Sequence, residues 1–237
     1  MTIEEENRQL RARVTELEKE LRLTKLRRQV TPHFLFNSIS VAIDLVMTSP
    51  RTGVRFLRRA ASMYRYLLEY GDRGTAPVEQ ELQLAEQYFE LMSIRHVGCL
   101  HLTVTPAVRA LRGYPLPPLS LQGLIENAIK HNVHMEDEPL AITISLSTEG
   151  EGLSLVVSNP IKRVRSDASS SPHFGLAYIR ETMQLLYGRD ISISDNNNIF
   201  TVNLPLIGDV ASFTKVTSSS SPLAKRRGER AGGREAG

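Results

Sequence analysis

An all-helical front joined to an α+β back is the fold class this 237-residue sequence predicts. Three observations predict it. Apolar residues recur at helical spacing up to about Arg95. Alternation of apolar and polar residues begins only after Gly98. The later alternating runs fall into two hairpins separated by helical stretches. The back then reads as a mainly antiparallel sheet with helices on one face.

The front opens on a charged helix over residues 1–30. Ile3, Leu10, Val14, Leu17 and Leu21 are seven, four, three and four apart, the spacing of a coiled-coil seam, and Leu23, Leu26 and Val30 carry the pattern on in a shifted phase. A parallel dimer seam and a single amphipathic helix both fit this pattern. Thr31-Pro32 marks a boundary or a kink, because proline lacks the N–H that an inner helical turn uses. Helices follow over His33–Met47, Gly53–Tyr70 and Val78–Ile94, punctuated by Ser49-Pro50 and by Gly71, Gly74 and Pro77.

In the back, Leu100, Leu102 and Val104 mark a strand, and the proline-rich Tyr114–Pro118 a loop. Leu119–Val133 reads as a helix. Ala141–Leu146 and Leu153–Val157 read as strands joined by a turn at Glu149–Gly152. A polar, serine-rich loop spans Asn159–Pro172, and Gly175–Leu186 is a helix closed by Gly188. Ile191–Ser194 and Ile199–Leu204 make a final hairpin around Asp195–Asn198. Four regions result: a coiled-coil helix over 1–30, a helical domain over 31–96, an α+β domain over 97–207, and a disordered tail over 208–237.

Composition narrows the function. Cys99 is the only cysteine, which excludes an intrachain disulfide and a multi-cysteine metal site. No apolar run approaches the roughly 20 residues that span a bilayer. The polar, acidic start is not a secretory signal, and a reducing cytoplasm fits. The net charge of +3 comes from the tail. Residues 208–237 hold six basic and three acidic residues, and the rest of the chain holds 23 of each. Direct nucleic-acid binding is therefore not expected.

Two helical stripes carry possible chemistry. His33, Asn37, Ser40 and Asp44 sit at i, i+4, i+7 and i+11, a single polar line on a helix otherwise covered by Phe34, Leu35, Phe36, Ile39, Val41, Ala42, Ile43, Leu45 and Val46. So much apolar surface suits a helix inside a bundle, completed by a second subunit. His33 is either a polar residue on a solvated face or a nucleophile, since neutral imidazole offers a nitrogen lone pair near physiological pH. Asn37, one turn on, can orient the imidazole or a water. In the second stripe, Asn127, Lys130 and His131 share one face of Leu119–Val133. The stripe is either an ordinary exposed face or a phosphate site. An amide oxygen is a hard ligand that suits Mg²⁺, and Lys130 and His131 can meet phosphate charge. Gly175, at a helix start, lets backbone amides approach a phosphate.

Together these runs resemble one family. Pro32-His33-Phe34-Leu35-Phe36-Asn37 is similar to the phosphoacceptor motif of LytS-type sensor histidine kinases. Arg65-Tyr66, the stretch Glu79–Arg95 with Glu81, Tyr88 and Arg95, and Pro117-Pro118-Leu119 with Gln122 and Glu126-Asn127-Ala128-Ile129-Lys130-His131 resemble its further motifs in order, the last being its N box. Phe174-Gly175-Leu176 and Leu185-Leu186-Tyr187-Gly188 resemble its glycine box and the helix after it. The resemblance spans about Leu26–Leu206.

It implies a dimeric helical domain bearing His33, and a Bergerat-type α/β sandwich that binds ATP and Mg²⁺. Glu126, Asn127, Lys130, His131, Asn159, Gly175 and Leu176 would line the nucleotide site, with Asn127 on the metal and residues 160–174 as a lid. Phosphate would pass from His33 to an aspartate of a response regulator, often one with a LytTR DNA-binding domain. The location implied is cytoplasmic, or the cytoplasmic part of a membrane sensor. Two motifs depart from the family pattern. Ser158-Asn159-Pro160 stands where Asp-x-Gly is common, with Asn159 able to accept the hydrogen bond from adenine. His173-Phe174-Gly175-Leu176-Ala177-Tyr178 lacks the first glycine and the asparagine of the glycine box. They motivate the alternative of a scaffold or phosphatase that acts on a response regulator with a degraded nucleotide site.

Overall fold

The first helix, α1, runs from Ile3 to Thr48 without interruption. The structure is a computed structural model that describes residues 3–71, 73–148, 152–162 and 174–208. The side chains of residues 3, 27–38 and 174 are outside that description. The boundary or kink expected at Thr31-Pro32 does not end the helix: both residues lie inside α1. Leu10, Val14, Leu17 and Leu21, the seam residues, are all exposed, whereas Leu23 is buried. The shift of phase after Leu21 coincides with the place where α1 leaves open solvent.

Ser49 separates α1 from α2 (Pro50–Tyr70). Its extended backbone (φ −151°, ψ 90°) precedes Pro50, whose fixed φ suits a first helical turn. Gly53 sits where α2 folds back on α1. A Cβ there would lie 2.8 Å from Val46 Cα, so only glycine fits. Ala42 of α1, Phe56 of α2 and Leu91 form a small core, flanked by Val41, Leu45, Ala60 and Met92. Leu91 and Met92 belong to α3 (Val78–Arg95), which follows a two-residue strand, β1 (Ala76–Pro77).

Strand β2 (Leu100–Val104) lies where alternation predicts it, and a short helix that the sequence did not announce, α4 (Pro106–Arg109), comes next. The proline-rich segment expected as loop contains β3 (Pro115–Leu116), which pairs antiparallel with β1. That pairing, extended by the bond from Val78 N to Tyr114 O (2.8 Å), holds the start of α3 beside the start of α5 (Ser120–His131).

The remaining elements are β4 (Leu140–Ser147), β5 (Ser154–Pro160), α6 (Phe174–Tyr187), β6 (Ser192–Asn196) and β7 (Ile199–Pro205). The sheet order is β2-β4-β5-β7-β6. Among the described residues only β2 and β4 pair in parallel, so the sheet is mainly antiparallel, as expected. One face carries Leu140, Ile142, Ile144, Leu155, Val157, Val202 and Leu204, all buried. The buried sides of α5 (Leu121, Leu124, Ile125, Ala128) and α6 (Ile179, Met183) complete this second core. The last hairpin closes through Asn197 (φ 53°) and Asn198 (φ 60°), the left-handed pair that a two-residue hairpin turn requires.

The described residues up to Ile207 form one compact unit, and of residues 208–237 only Gly208 is described. The expected disordered tail thus lies outside the described residues, as do most of the expected lid (163–173) and Glu149–Glu151 of the expected turn. Among the described residues, no helix is long and apolar enough to cross a membrane.

Candidate nucleotide and phosphoacceptor site

Helix α5 is the element around which the sequence-singled residues gather. Its amphipathic pattern buries Leu121, Leu124, Ile125, Ala128 and Ile129, leaving Glu126 and Asn127 half-buried and Lys130 and His131 exposed. Buried Gln122 donates through Nε2 to Glu126 Oε2 (2.8 Å). Tyr88 of α3 is buried, and burial first, then the charge of Glu126, pushes its phenol well above the ordinary value.

Both ends of α5 are tied to other segments that the sequence marks out. At its C-terminal end, Asn132 donates to Ala128 O (2.7 Å) and accepts from Lys162 N (2.6 Å), and Val133 N donates to Lys162 O (2.8 Å). Lys162 lies just beyond β5, the strand that carries Asn159, within the first residues of the segment expected as a lid. Nearer the other end, Gly123 faces Gly175 of α6. A Cβ on Gly175 would lie 3.6 Å from Gly123 O, so the two backbones run at contact distance. Two separate sequence runs thus meet α5, the helix of the Glu126–His131 stripe: the residues just after β5 at its C-terminal end, and the start of α6 with Gly175 nearer its N-terminal end.

Asn159 is not in a loop, as the sequence suggested, but inside β5, opposite Phe200 and buried. Its Nδ2 donates to Pro160 O (2.7 Å), which leaves the amide oxygen as its acceptor. His33 and Asn37 lie on α1, one turn apart, and their side chains are outside the described residues. Below them on the same stripe, Ser40 and Asp44 are exposed, while Val41, Ala42 and Leu45 turn to the core.

The sequence reading left Glu81, Tyr66 and Asn132 out of the site. Glu81 of α3 is wholly buried. Its Oε1 accepts from Leu119 N (2.7 Å) and from the Tyr66 hydroxyl of α2, and its Oε2 accepts from Leu121 N (3.0 Å). Burial raises its carboxyl to about 7, against the lowering effect of those donors, Tyr66 first. Burial, and then Glu81, in turn hold the Tyr66 phenol far above its ordinary value. A signal was present: Glu81 falls on the same helical face as Val78, Leu82, Ala85 and Tyr88, an acid within an apolar stripe.

Among the described residues, no group of three or more His, Cys, Asp or Glu side chains could hold a metal. The donor set at α5 still fits Mg²⁺ beside a polyphosphate, since that ion takes one or two protein oxygens and fills the rest of its octahedron with phosphate oxygens and water. Asn127 can supply such an oxygen, and Lys130 and His131 stand on the same exposed face.

A helical pair that carries a histidine run is thus followed by a sheet with α5 and α6 on its buried face. The family model described as histidine kinase matches residues 5–99. An uncharacterized sensor-like histidine kinase of Staphylococcus epidermidis is 28% identical over 223 residues, covering 86% of this chain and 43% of the relative. The sensor protein kinase HptS of Staphylococcus aureus is 31% identical over 199 residues, covering 78% of this chain and 38% of the relative. The catalytic domain of the histidine kinase ThkA aligns over 55% of this chain and 97% of its own, with TM-score 0.41 and 15% identity, a likeness too slight to carry an argument. By the sequence matches the chain is similar to histidine kinases, over residues 5–99 for the family model and over most of its own length for these two relatives. It spans less than half the length of these two relatives.

Proposed function

We propose that the chain is the core of a sensor histidine kinase of the LytS type, which transfers the γ-phosphoryl group of ATP to His33 and then to an aspartate of a response regulator. The observation that carries this reading is the match of residues 5–99, which contain the His33–Asn37 run, to the histidine kinase family. The gathering of Asn127, Asn159 and Gly175 around α5 supports it from the other half of the chain.

In the first step a neutral His33 nitrogen attacks the γ-phosphorus, the bond to the β,γ-bridging oxygen breaks, and ADP leaves. The attack makes the ring a phosphorylated imidazolium, which then loses the proton of its other nitrogen to water. Asn37 orients the ring or a water near it. Lys130 and His131 meet the charge of the phosphates. Asn127 would hold Mg²⁺, which would supply charge neutralisation when bound. Asn159 accepts a hydrogen bond from the adenine amino group through the oxygen that Pro160 leaves available.

The active form in this reading is a homodimer. Ile39, Ile43, Val46 and Met47 of α1, with Val54 and Leu57 of α2, are exposed apolar residues on the hairpin, and a second copy would cover them. The regulator, of LytTR type or another, docks on the same bundle. A cytoplasmic site of action follows from the need for ATP.

The test is labelling with Mg²⁺ and γ-labelled ATP, beside a His33→Gln variant. The expected label is acid-labile, alkali-stable and missing from the variant. Absence of label in both, with both folded and dimeric, would overturn autokinase activity in favour of a scaffold or phosphatase. That alternative draws on Ser158-Asn159-Pro160.

A further inference from the structure

Glu81 is buried with three hydrogen bonds and, among the described residues, no cation beside it. Such a carboxylate is costly, and hydrophobic packing would fill the space at less cost. Its partners come from two different parts of the fold. Tyr66 belongs to α2, the second helix of the hairpin, whereas Leu119 N and Leu121 N are donors at the start of α5. Leu119 itself is held in the left-handed region (φ 67°, ψ 15°), a conformation that a leucine keeps only where its surroundings fix it. Ser120 adds a local brace, with its Oγ donating to Pro117 O (2.6 Å).

We propose that Tyr66 and Glu81 form a positioning link that transmits the placement of hairpin helix α2 to the first turn of α5, and so to the Asn127 face. The inference rests on the nucleotide-binding reading of that face. Its physical logic is separate: a hydroxyl on α2 fixes Glu81 Oε1, and the carboxylate fixes the strained residue from which α5 departs. A shift of α2 relative to α3 has no way to leave α5 undisturbed while those bonds persist. A change in the hairpin therefore reaches Asn127, Lys130 and His131 through the angle at which α5 starts.

The test compares the full chain with Tyr66→Phe and Glu81→Gln variants and the double variant, using amide hydrogen exchange and the ATP dependence of labelling. Tyr66→Phe removes one hydroxyl and keeps the ring. The expected result is about tenfold faster exchange over residues 119–123, with β5 and β7 unchanged. The ATP concentration for half-maximal labelling rises about tenfold. A smaller folded fraction would lower only the maximal rate, so this rise separates positioning from simple destabilisation. The effects of the two single substitutions are expected to be non-additive, because Tyr66 acts through Glu81. Glu81→Gln, which keeps the Oε1 bonds and loses that to Leu121 N, gives the same reading if Tyr66→Phe does not fold.

Unchanged exchange at 119–123 in these variants overturns the link. Faster exchange with an unmoved ATP dependence overturns its positioning role. If the unaltered chain takes no label, the nucleotide reading falls, and the exchange measurement alone decides whether α2 and α5 are coupled.

Discussion

Replacing Glu81 by Gln should change the pH dependence of stability in a defined direction. Glu81 titrates at about 7 in the folded chain against an ordinary 4.5, chiefly because burial disfavours its charge. The folded state therefore binds this proton more tightly than the unfolded chain does. The stabilisation from holding it is complete below pH 4.5 and is lost as pH rises to about 7. The difference corresponds to about 3 kcal/mol. Gln carries no such proton, but its amide NH₂ faces the N–H of Leu121, donor against donor, at a pH-independent cost of about 1–3 kcal/mol. Wild type should thus be the more stable near pH 5 and lose that lead by pH 8. At about 2–4 °C per kcal/mol for a chain this long, the gap in Tm should move by about 6–12 °C. His96 acts in the same window with opposite sign. Burial, then His134 and Arg95, hold its imidazole below the ordinary value, so its share of stability is lost as pH falls. It is common to both proteins and cancels in the difference. Thermal unfolding of both across pH 4.5–8.5 is the assay. Parallel curves would refute the assignment of Glu81 as a group that ionises within the fold.

Three further substitutions probe other joints. Asn127→Asp should abolish Mg²⁺-dependent labelling while leaving Tm within about 2 °C, since the side chain is only half-buried; full labelling would remove Asn127 from the metal. Asn132→Ala cuts the side-chain bond to Ala128 O and the one from Lys162 N, so it should cost about 1–3 kcal/mol and speed amide exchange at Lys162, measured by denaturant unfolding and exchange. Gly53→Ala drives a Cβ into Val46, with its Cα at 2.8 Å, and should destabilise the hairpin by about 1–3 kcal/mol in calorimetry.

Much of the fold is legible because local signals decide it. Alternation alone locates β2, and the Asn-rich run between Asp195 and Asn198 announces a turn that needs two left-handed residues. The misses arise where tertiary context outweighs a local rule. Pro32 removes one hydrogen bond, to Arg28 O, at a cost of up to about 3 kcal/mol, and α1 continues because its lower part is packed on α2 through Val41, Ala42 and Leu45. Pro115 reads as loop, but Pro77 faces it in a two-residue pairing too short to leave a periodicity. Asn159 looks like the first loop residue, yet its strand runs on to Pro160 because β7 pairs with it as far as Ile199. At the site, residue types on single helices could be read directly. What joins them could not. The bonds of Glu81 to Leu119 and Leu121 span about 40 positions, and no spacing rule reports a partner that distant.

The continuity of α1 bears on how the histidine is aimed. A helix of 46 residues rises about 69 Å and turns about 100° per residue, so the seam residues and His33 are points on one screw. Leu21 and His33 are twelve positions apart, a count that fixes both the height and the angle of residue 33 about the helix axis. One residue added between them would swing His33 by about 100° for a climb of only about 1.5 Å, while seven would bring it back to within about 20° of its original bearing. The compass direction of His33 is therefore set by a residue count, and twisting the seam and lengthening the helix are equivalent ways of turning it.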